Sequence, residues 1–421
     1  MSARVVIVGA GILGTSTAYH LRKLGERRVL VIDRRCLSAA ATGRSGALVR
    51  ANYDNEADAK LALMSLDVFR NWEERVGGSC GFTAVGHLEI ADAASAETFR
   101  KLVECQRQWG VAIRLINSAE AKSLAPRVRF DDADGPIAYE ARAGYCDPNL
   151  ANRALYDVAR ADGVEFIFDE AVRSVVLTHG RAIGLRTNKR FIPADAIVLA
   201  PGAWTNQILA PLGLDFGLIS HLSRLAVFRP HEIDEGETFP TIIDHVHEAW
   251  FRPMPGGCVL VGAECGGRDG IDADRSSETV PPALVASYRR ILAHRFAVSA
   301  YAASRGAWAG AYMLSPDRRP VVGKVRAVPN LFLAAGDSGT SFKIAPAIGL
   351  GLAELIVHGA STSVDLTSLA PGRFDARAGA VDPHRVSSPP NAGSPSMVDA
   401  AEQGDHAEEL TPAARPVPAS A

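Results

Sequence analysis

Between Arg4 and Asp33 the chain reads RVVIVGAGILGTSTAYHLRKLGERRVLVID, and few folds accommodate that order of residues. RVVIV and RVLVI are apolar at consecutive positions, the pattern of strands buried on both faces. Apolar residues recur at helical spacing between them as far as Leu24, so the segment predicts a strand, a crossover helix and a second, parallel strand. Gly9, Gly11 and Gly14 form GxGxxG at the first turn. Gly9 permits the tight turn, Gly11 lets the backbone approach a pyrophosphate, and Gly14 lets helix and strand pack closely. Asp33 ends the second strand roughly 20 residues on, the offset of a carboxylate that accepts a hydrogen bond from an adenosine ribose. An acid there rather than an arginine argues against a 2′-phosphate. Ile12, which opens the helix, and Arg34, beside the acid, complete the expected dinucleotide contacts of this segment.

Two later clusters repeat the pattern of a buried strand, a small-residue turn and a helix start. One runs from DGVEFIFD through a hairpin-like stretch to ADAIVLAPGAWTNQIL, which holds Gly202; the other is LFLAAGDSGTSFKIAPAIGLGLAELI. Three separated segments supplying one parallel sheet give an α/β fold, α+β overall, of split Rossmann type. Residues 1–80, 142–216 and 315–370 make up the first, discontinuous domain. Residues 81–141 and 217–314 carry shorter alternating runs, HLEIAD, RLAVF, CVLVGAE and WAGAYM, that suit a mixed or antiparallel sheet in a second domain. At 421 residues two domains are reasonable. Residues 371–421 are rich in Ala, Pro, Ser and acids with few large apolar groups, and are expected to be a disordered tail.

The formal net charge of −2 provides no field to attract nucleic acid or an anionic membrane. No apolar run approaches the roughly 20 residues of a membrane span, and VVIVGAGILG lacks the h-region of a signal peptide. Six cysteines without CxxC pairing read as reduced thiols, so a cytoplasmic location is expected. His245 and His247 in DHVHE could share one side of a strand, but a third ligand is missing; Asp269, Asp272 and Asp274 lack calcium-loop spacing and read as a solvated acidic turn. No metal is expected. Nothing in the sequence sets an oligomeric state.

Only one GxGxxG exists, so the dinucleotide is expected to be FAD rather than a nicotinamide cofactor. In LAAGDSGTSFK, Asp337 either accepts hydrogen bonds from ribityl hydroxyls or caps the following helix. Lys343 stands where that helix begins, near Ser341. A cation at a helix N-terminus costs stability unless something negative approaches.

The chain resembles the FAD-dependent amine and amino-acid oxidoreductases that include sarcosine oxidase, glycine oxidase and D-amino-acid oxidase, and the sarcosine-oxidase branch in particular. The likeness covers about Arg4 to Gly359 and rests on VVIVGAGILGTSTAYHL, ATGRSGALVR, GAYMLSPDRRPVVG and LFLAAGDSGTSFKIAPAIG. It implies a substrate domain whose sheet covers the flavin ring, and contacts to the cofactor from Arg44, Ser45, Gly336, Asp337, Ser338, Gly339, Thr340 and Lys343. Arg50 and Lys343 would bind a substrate carboxylate, and Tyr312 and Tyr53 would line the substrate cavity. Gly310 stands where sarcosine oxidase has its flavin-tethering cysteine, so the flavin is expected to be non-covalent. CVLVGAE holds no counterpart of the oxygen-activating lysine, and Glu264 or a neighbour replaces the active-site histidine. Trp204 is shared with the family and is expected to pack.

The implied activity is oxidation of a carbon-nitrogen bond in a small amino acid or N-methyl amino acid, by hydride transfer to flavin N5 and hydrolysis of the imine. The electron acceptor is oxygen, or a partner protein or quinone. The alternatives are a 2-hydroxy-acid dehydrogenase and a non-catalytic flavoprotein assembly factor on the same fold.

Overall fold

A computed structural model describes residues 4–131, 134–296 and 301–374. Strands drawn from distant parts of the chain form a six-stranded sheet in the order Val321–Lys324, Leu331–Ala335, Ala196–Leu199, Arg4–Val8, Arg28–Ile32 and Glu165–Ile167. All neighbours run parallel except the first pair. The apolar runs explain it: Val5, Val6, Ile7, Ile197 and Val198 are fully buried, which requires cover on both faces.

The helix Ile12–Lys23 lies on one face and packs closely on the final long helix, Ala345–Val357. Ser16 donates to the Ala345 carbonyl at 2.9 Å, and a Cβ on Gly349 would lie 2.2 Å from the Ser16 hydroxyl. That final helix was expected to begin near Ser341. Instead Ser341–Ile344 is a 3₁₀ turn and the α-helix starts at Ala345, with Pro346 in its first turn, where a missing N–H costs nothing. The hairpin-like stretch is a three-stranded antiparallel sheet over Val172–Thr178, Arg181–Thr187 and Phe191–Pro193.

The second large sheet is mixed. Its core runs Ile219–Arg229, Cys258–Ala263, Ala249–Met254, Thr241–Asp244, His87–Asp92, Asp134–Glu140 and Ile113–Ile116, with Ala303–Leu314 along the far side of Ile219–Arg229. Neighbours in it are antiparallel except Thr241–Asp244 against His87–Asp92. Period-two alternation divides its faces. Leu88, Ile90, Ile242, Phe251, Val259 and Phe228 pack with Leu284, Tyr288 and Leu292 of the helix Pro282–Arg295. The registers put His87, Glu89, Ile243, Trp250, Leu225, Gly310 and Tyr312 on the opposite face.

Two expectations need correcting here. Residues 371–374 do not belong to a tail: Pro371–Arg373 forms a 3₁₀ turn, Arg373 pairs with Asp317 at 2.8 Å, and Phe374 is buried. The remainder of that expectation, residues 375–421, lies outside the described residues. His245 and His247 sit in the turn after Thr241–Asp244 rather than on a strand, and each faces its own carboxylate, Glu89 and Asp244. Among the described residues no helix is long and apolar enough to cross a membrane.

Candidate active site

A cavity of about 490 Å³ runs along the carboxyl ends of the parallel strands and beneath the face of the second sheet that carries Trp250 and Tyr312. Open α/β sheets bind ligands at this edge. Val8, Ile32, Ala200 and Ala335 mark the strand ends on its floor; Ser223, Leu225, Ile243, Trp250, Gly310 and Tyr312 roof it.

At one end lies the glycine turn. Gly9 has φ +106°, and a Cβ on it would fall 2.2 Å from the Ala200 carbonyl oxygen. Gly14 does not line the cavity; a Cβ there would fall 2.0 Å from the Gly9 carbonyl, so it serves the close packing of helix on strand. Gly11 is the N-cap of the first helix, which has no side-chain cap and no acid in its first turn. The Ile12 N–H donates to the Thr42 hydroxyl at 3.0 Å. Asp33 faces the cavity, and it also braces the turn by accepting from the Ala10 and Arg35 N–H groups, both at 2.8 Å. Asn152, for which the sequence offers no signal, holds the turn from below by donating to the Ala10 carbonyl at 3.0 Å. A helix start whose N-cap glycine brings no capping side chain, a glycine turn and a carboxylate along one cavity are the donors and the acceptor that an FAD pyrophosphate and ribose require.

Farther along, Arg44 bonds the carbonyls of Ala39 and Ala40 and pairs with Glu278, while Ser45 accepts from the Ala47 N–H at 3.0 Å. A Cβ on Gly310 would lie 3.0 Å from the Arg44 Cβ. Gly202, φ +59°, also lines this part. Arg34 stacks on the Trp204 ring at 4.9 Å and pairs with Asp274 at 2.8 Å. Trp204 Nε1 and Gln207 Nε2 each donate to the same carboxylate at 2.9 Å. Asp274 is an exposed turn residue, as expected, but it is also tied to three side chains: the hydrogen bond from Gln207 leads the causes that hold its carboxyl below the usual range. Trp204 lines the cavity rather than serving as packing alone.

Gly336, Ser338 and Gly339 have positive φ and carry the backbone past the cavity. Asp337 accepts from the Gly339 N–H at 2.6 Å, closing that turn. Burial pushes its carboxyl up to about 6, against the pull of that N–H, Lys343 and His221. Thr340, expected at the cofactor, does not line the cavity and donates to the Asp337 carbonyl at 2.9 Å.

At the other end Arg50 and Lys343 open on the same space. Lys343 is 7% exposed and has no hydrogen-bond or ion-pair partner among the described residues. Burial first, then the Arg50 charge, lowers its amine to about 7, with Asp337 and Asp58 opposing. Arg50 Nη1 donates to the Asn52 side-chain oxygen at 2.8 Å and to the Asn52 carbonyl; its other nitrogens have no partner among the described residues. Both cations lie over the Tyr53 ring, at 5.6 Å for Arg50 and 5.4 Å for Lys343. Tyr53 was expected to line the cavity and does not. It is the cushion under the two cations, its hydroxyl buried without a well-formed hydrogen bond, and burial raises its pKa. Tyr312 does line the cavity, 4.9 Å from the His221 ring; burial, then Asp337 and Glu264, raise its pKa. Glu264 also lines the cavity.

Sequence reasoning missed the polar group behind Arg50. The Glu140 carboxylate accepts from the Ala51 N–H at 3.0 Å and the Asn52 N–H at 3.2 Å, and burial lifts its pKa to about 7 against those bonds and Arg50. Glu89 accepts from the Asn52 amide and meets His245 Nε2 at 2.8 Å. His87 meets the Thr241 hydroxyl at 2.9 Å, and burial, then Arg50, lowers its pKa to about 3.

A family model described as FAD dependent oxidoreductase matches residues 4–355. The 4-methylaminobutanoate oxidase (formaldehyde-forming) of Paenarthrobacter nicotinovorans is 27% identical over 378 residues, 86% of this chain but 45% of that protein. The chain thus spans less than half of that relative's length. YurR of Bacillus subtilis, an uncharacterized oxidoreductase, is 28% identical over 380 residues, 87% of this chain and 98% of that one. Among solved structures, L-proline dehydrogenase from P. horikoshii superposes with a TM-score of 0.81 at 25% identity, covering 89% of this chain and 98% of that one. With the match extending from the first strand to the final helix, over the whole cavity, the chain belongs to the FAD dependent oxidoreductase family.

Proposed function

We propose that this flavoenzyme oxidises the carbon-nitrogen bond of a small carboxylated amine, an amino acid or N-methyl amino acid. One observation carries the reading: a buried ammonium without a counter-ion and a partly free guanidinium open side by side on one cavity. Two cations side by side, neither in an ion pair among the described residues, call for an anion, and a carboxylate matches the guanidinium fork. The relatives' names agree in chemistry, since 4-methylaminobutanoate and proline are both carboxylated secondary amines.

Bound non-covalently, FAD supplies a hydride acceptor at N5. Gly9, Gly11, Ile12, Asp33, Arg34, Arg44, Ser45, Gly202 and the segment Gly336–Gly339 would hold it, as all of them line the cavity. Arg50 and Lys343 would bind the substrate carboxylate, which keeps Lys343 protonated and turns the adjacent C–H toward the acceptor, a positioning effect of several kcal/mol. Ile243, Trp250 and Tyr312 roof the space and exclude water. The substrate amine reacts neutral, its proton having passed to solvent. Its lone pair then forms the C=N bond as the C–H electron pair departs, and water hydrolyses the imine. No side chain has to act as base.

The test is anaerobic bleaching of the flavin across D-, L- and N-methyl amino acids and 2-hydroxy acids. Bleaching by one of the amines, with release of ammonia, methylamine or formaldehyde, is expected; bleaching by hydroxy acids alone would sink the reading. For the acceptor, the roof residues Leu225, Ile243, Trp250 and Tyr312 carry no cation to stabilise developing superoxide, and Arg50 and Lys343 are committed to the substrate carboxylate, which supports an acceptor other than oxygen. Turnover should be slow in oxygen and fast with a dye, as for an enzyme that passes electrons to a partner protein or quinone.

A further inference from the structure

A hydrogen-bonded chain leads from Arg50 at the cavity to His245 at the solvent through Asn52 and Glu89, to which the sequence motifs assign no role. Arg50 Nη1 donates to Asn52 Oδ1 at 2.8 Å, the Asn52 amide donates to Glu89, and Glu89 meets His245 at 2.8 Å. The side chain of Glu89 is 14% exposed and that of His245 44% exposed, so the chain ends in water. We infer that Glu89 is a positioning residue that, with His245 as its titrating partner, sets the orientation and the field of Arg50 and so tunes carboxylate affinity with pH. The inference rests on the reading of Arg50 as a carboxylate ligand.

Orientation follows from the amide. Glu89 accepts from the Asn52 NH₂, which turns the Asn52 oxygen toward Arg50 and fixes one nitrogen of its fork, leaving the others for a ligand. The field follows from charge. Burial raises the cost of ionising Glu89, but the bond from His245 and the Arg50 charge overcome it and hold its pKa below the usual value. The bond to Glu89 raises that of His245. Below that raised value the two charges cancel toward the cavity. Above it, His245 is neutral and the Glu89 charge faces Arg50 uncompensated, which weakens its hold on an anion.

Other groups face Arg50 and must be separated from this effect. His87, on the same strand, stays neutral across the working range. Glu140, on the neighbouring strand, and Lys343, on the 3₁₀ turn, both titrate near 7. The slope of the unmodified protein therefore decides nothing, and comparison of variants does.

The experiment titrates FAD-loaded protein with benzoate, a carboxylate probe, and with benzamide, its neutral counterpart, reading the flavin absorption spectrum from pH 6 to pH 8.5. His245→Gln should bind benzoate about 3- to 10-fold more weakly than the unmodified protein at pH 6 and equally at pH 8.5, as expected for one partly screened charge. Glu89→Gln, which keeps the acceptor for Asn52, should match the unmodified protein at pH 6 and bind about 3- to 10-fold more tightly at pH 8.5. Benzamide should show neither effect. Flavin content reports folding. If both variants follow the unmodified protein at every pH while Arg50→Met weakens benzoate, the tuning role is wrong and the carboxylate reading stands. If Arg50→Met leaves benzoate affinity unchanged, both fall.

Discussion

Lys343 is costly to keep charged while it lies buried beside the Arg50 guanidinium with nothing negative in contact. The unfolded chain holds that proton to a pH of about 10.4, the folded chain only to about 7. Between those values the unfolded state binds more protons, so this residue makes stability rise with pH, and its cost is greatest below pH 7. Lys343→Met should accordingly raise the Tm of flavin-free protein, more at pH 6 than at pH 9, and scanning calorimetry at the two pH values checks it. The same variant should raise KM for a carboxylated amine roughly 10-fold or more while kcat changes less, because a charge-assisted bond to the carboxylate is lost. An unchanged KM would remove Lys343 from substrate binding. The sequence makes Lys343 conspicuous, since a cation at a helix start is misplaced without an anion. It conceals Glu89 and His87. In HLEIAD they alternate with Leu88 and Ile90 and read as the solvent face of a half-buried strand; only the assembled molecule reveals that the first half of the chain covers that face.

The helix Pro282–Arg295 is locked to the second sheet by its last residue. Arg295 is fully buried and bonds Asp244 at 2.6 and 2.8 Å and Asp134 at 2.8 and 3.0 Å, spanning strands far apart in sequence. Arg295→Met would leave buried Asp134 without its counter-ion and Asp244 with only His247, a loss of about 3–5 kcal/mol. Urea unfolding followed by fluorescence measures it; a loss below about 1 kcal/mol would mean that the pair is dispensable. Asp244 ends the strand that precedes His245, so the same fork steadies the turn carrying the outer end of the Arg50 chain. The parallel strands of the nucleotide half were legible, because their consecutive apolar runs are followed by small-residue turns; the antiparallel edge strand Val321–Lys324 was not. The order of the second sheet was not: its strands come from separate segments, and one parallel pairing, Thr241–Asp244 with His87–Asp92, joins them without a local turn signal.

Across the whole molecule, contacts from residues 270–280 reach back to the nucleotide half. Asp274 engages Arg34, Trp204 and Gln207, Glu278 engages Arg44, and all four of those partners line the cavity. These side chains are partly exposed, so they add little to overall stability. They hold in place side chains that line the cavity proposed for the cofactor. Asp274→Ala should release FAD several-fold faster on dilution, read as recovery of free-flavin fluorescence, and the unmodified protein should lose part of its advantage in high salt. Equal release rates would show the contact to be idle. The arrangement also governs how a stripped protein refills. A ligand that must wait for two halves to part is admitted at the rate of parting, so reconstitution with excess FAD should reach a ceiling that more FAD does not lift. A clasp of this kind predicts gated loading: cutting it should turn a saturating uptake into one that climbs in proportion to concentration.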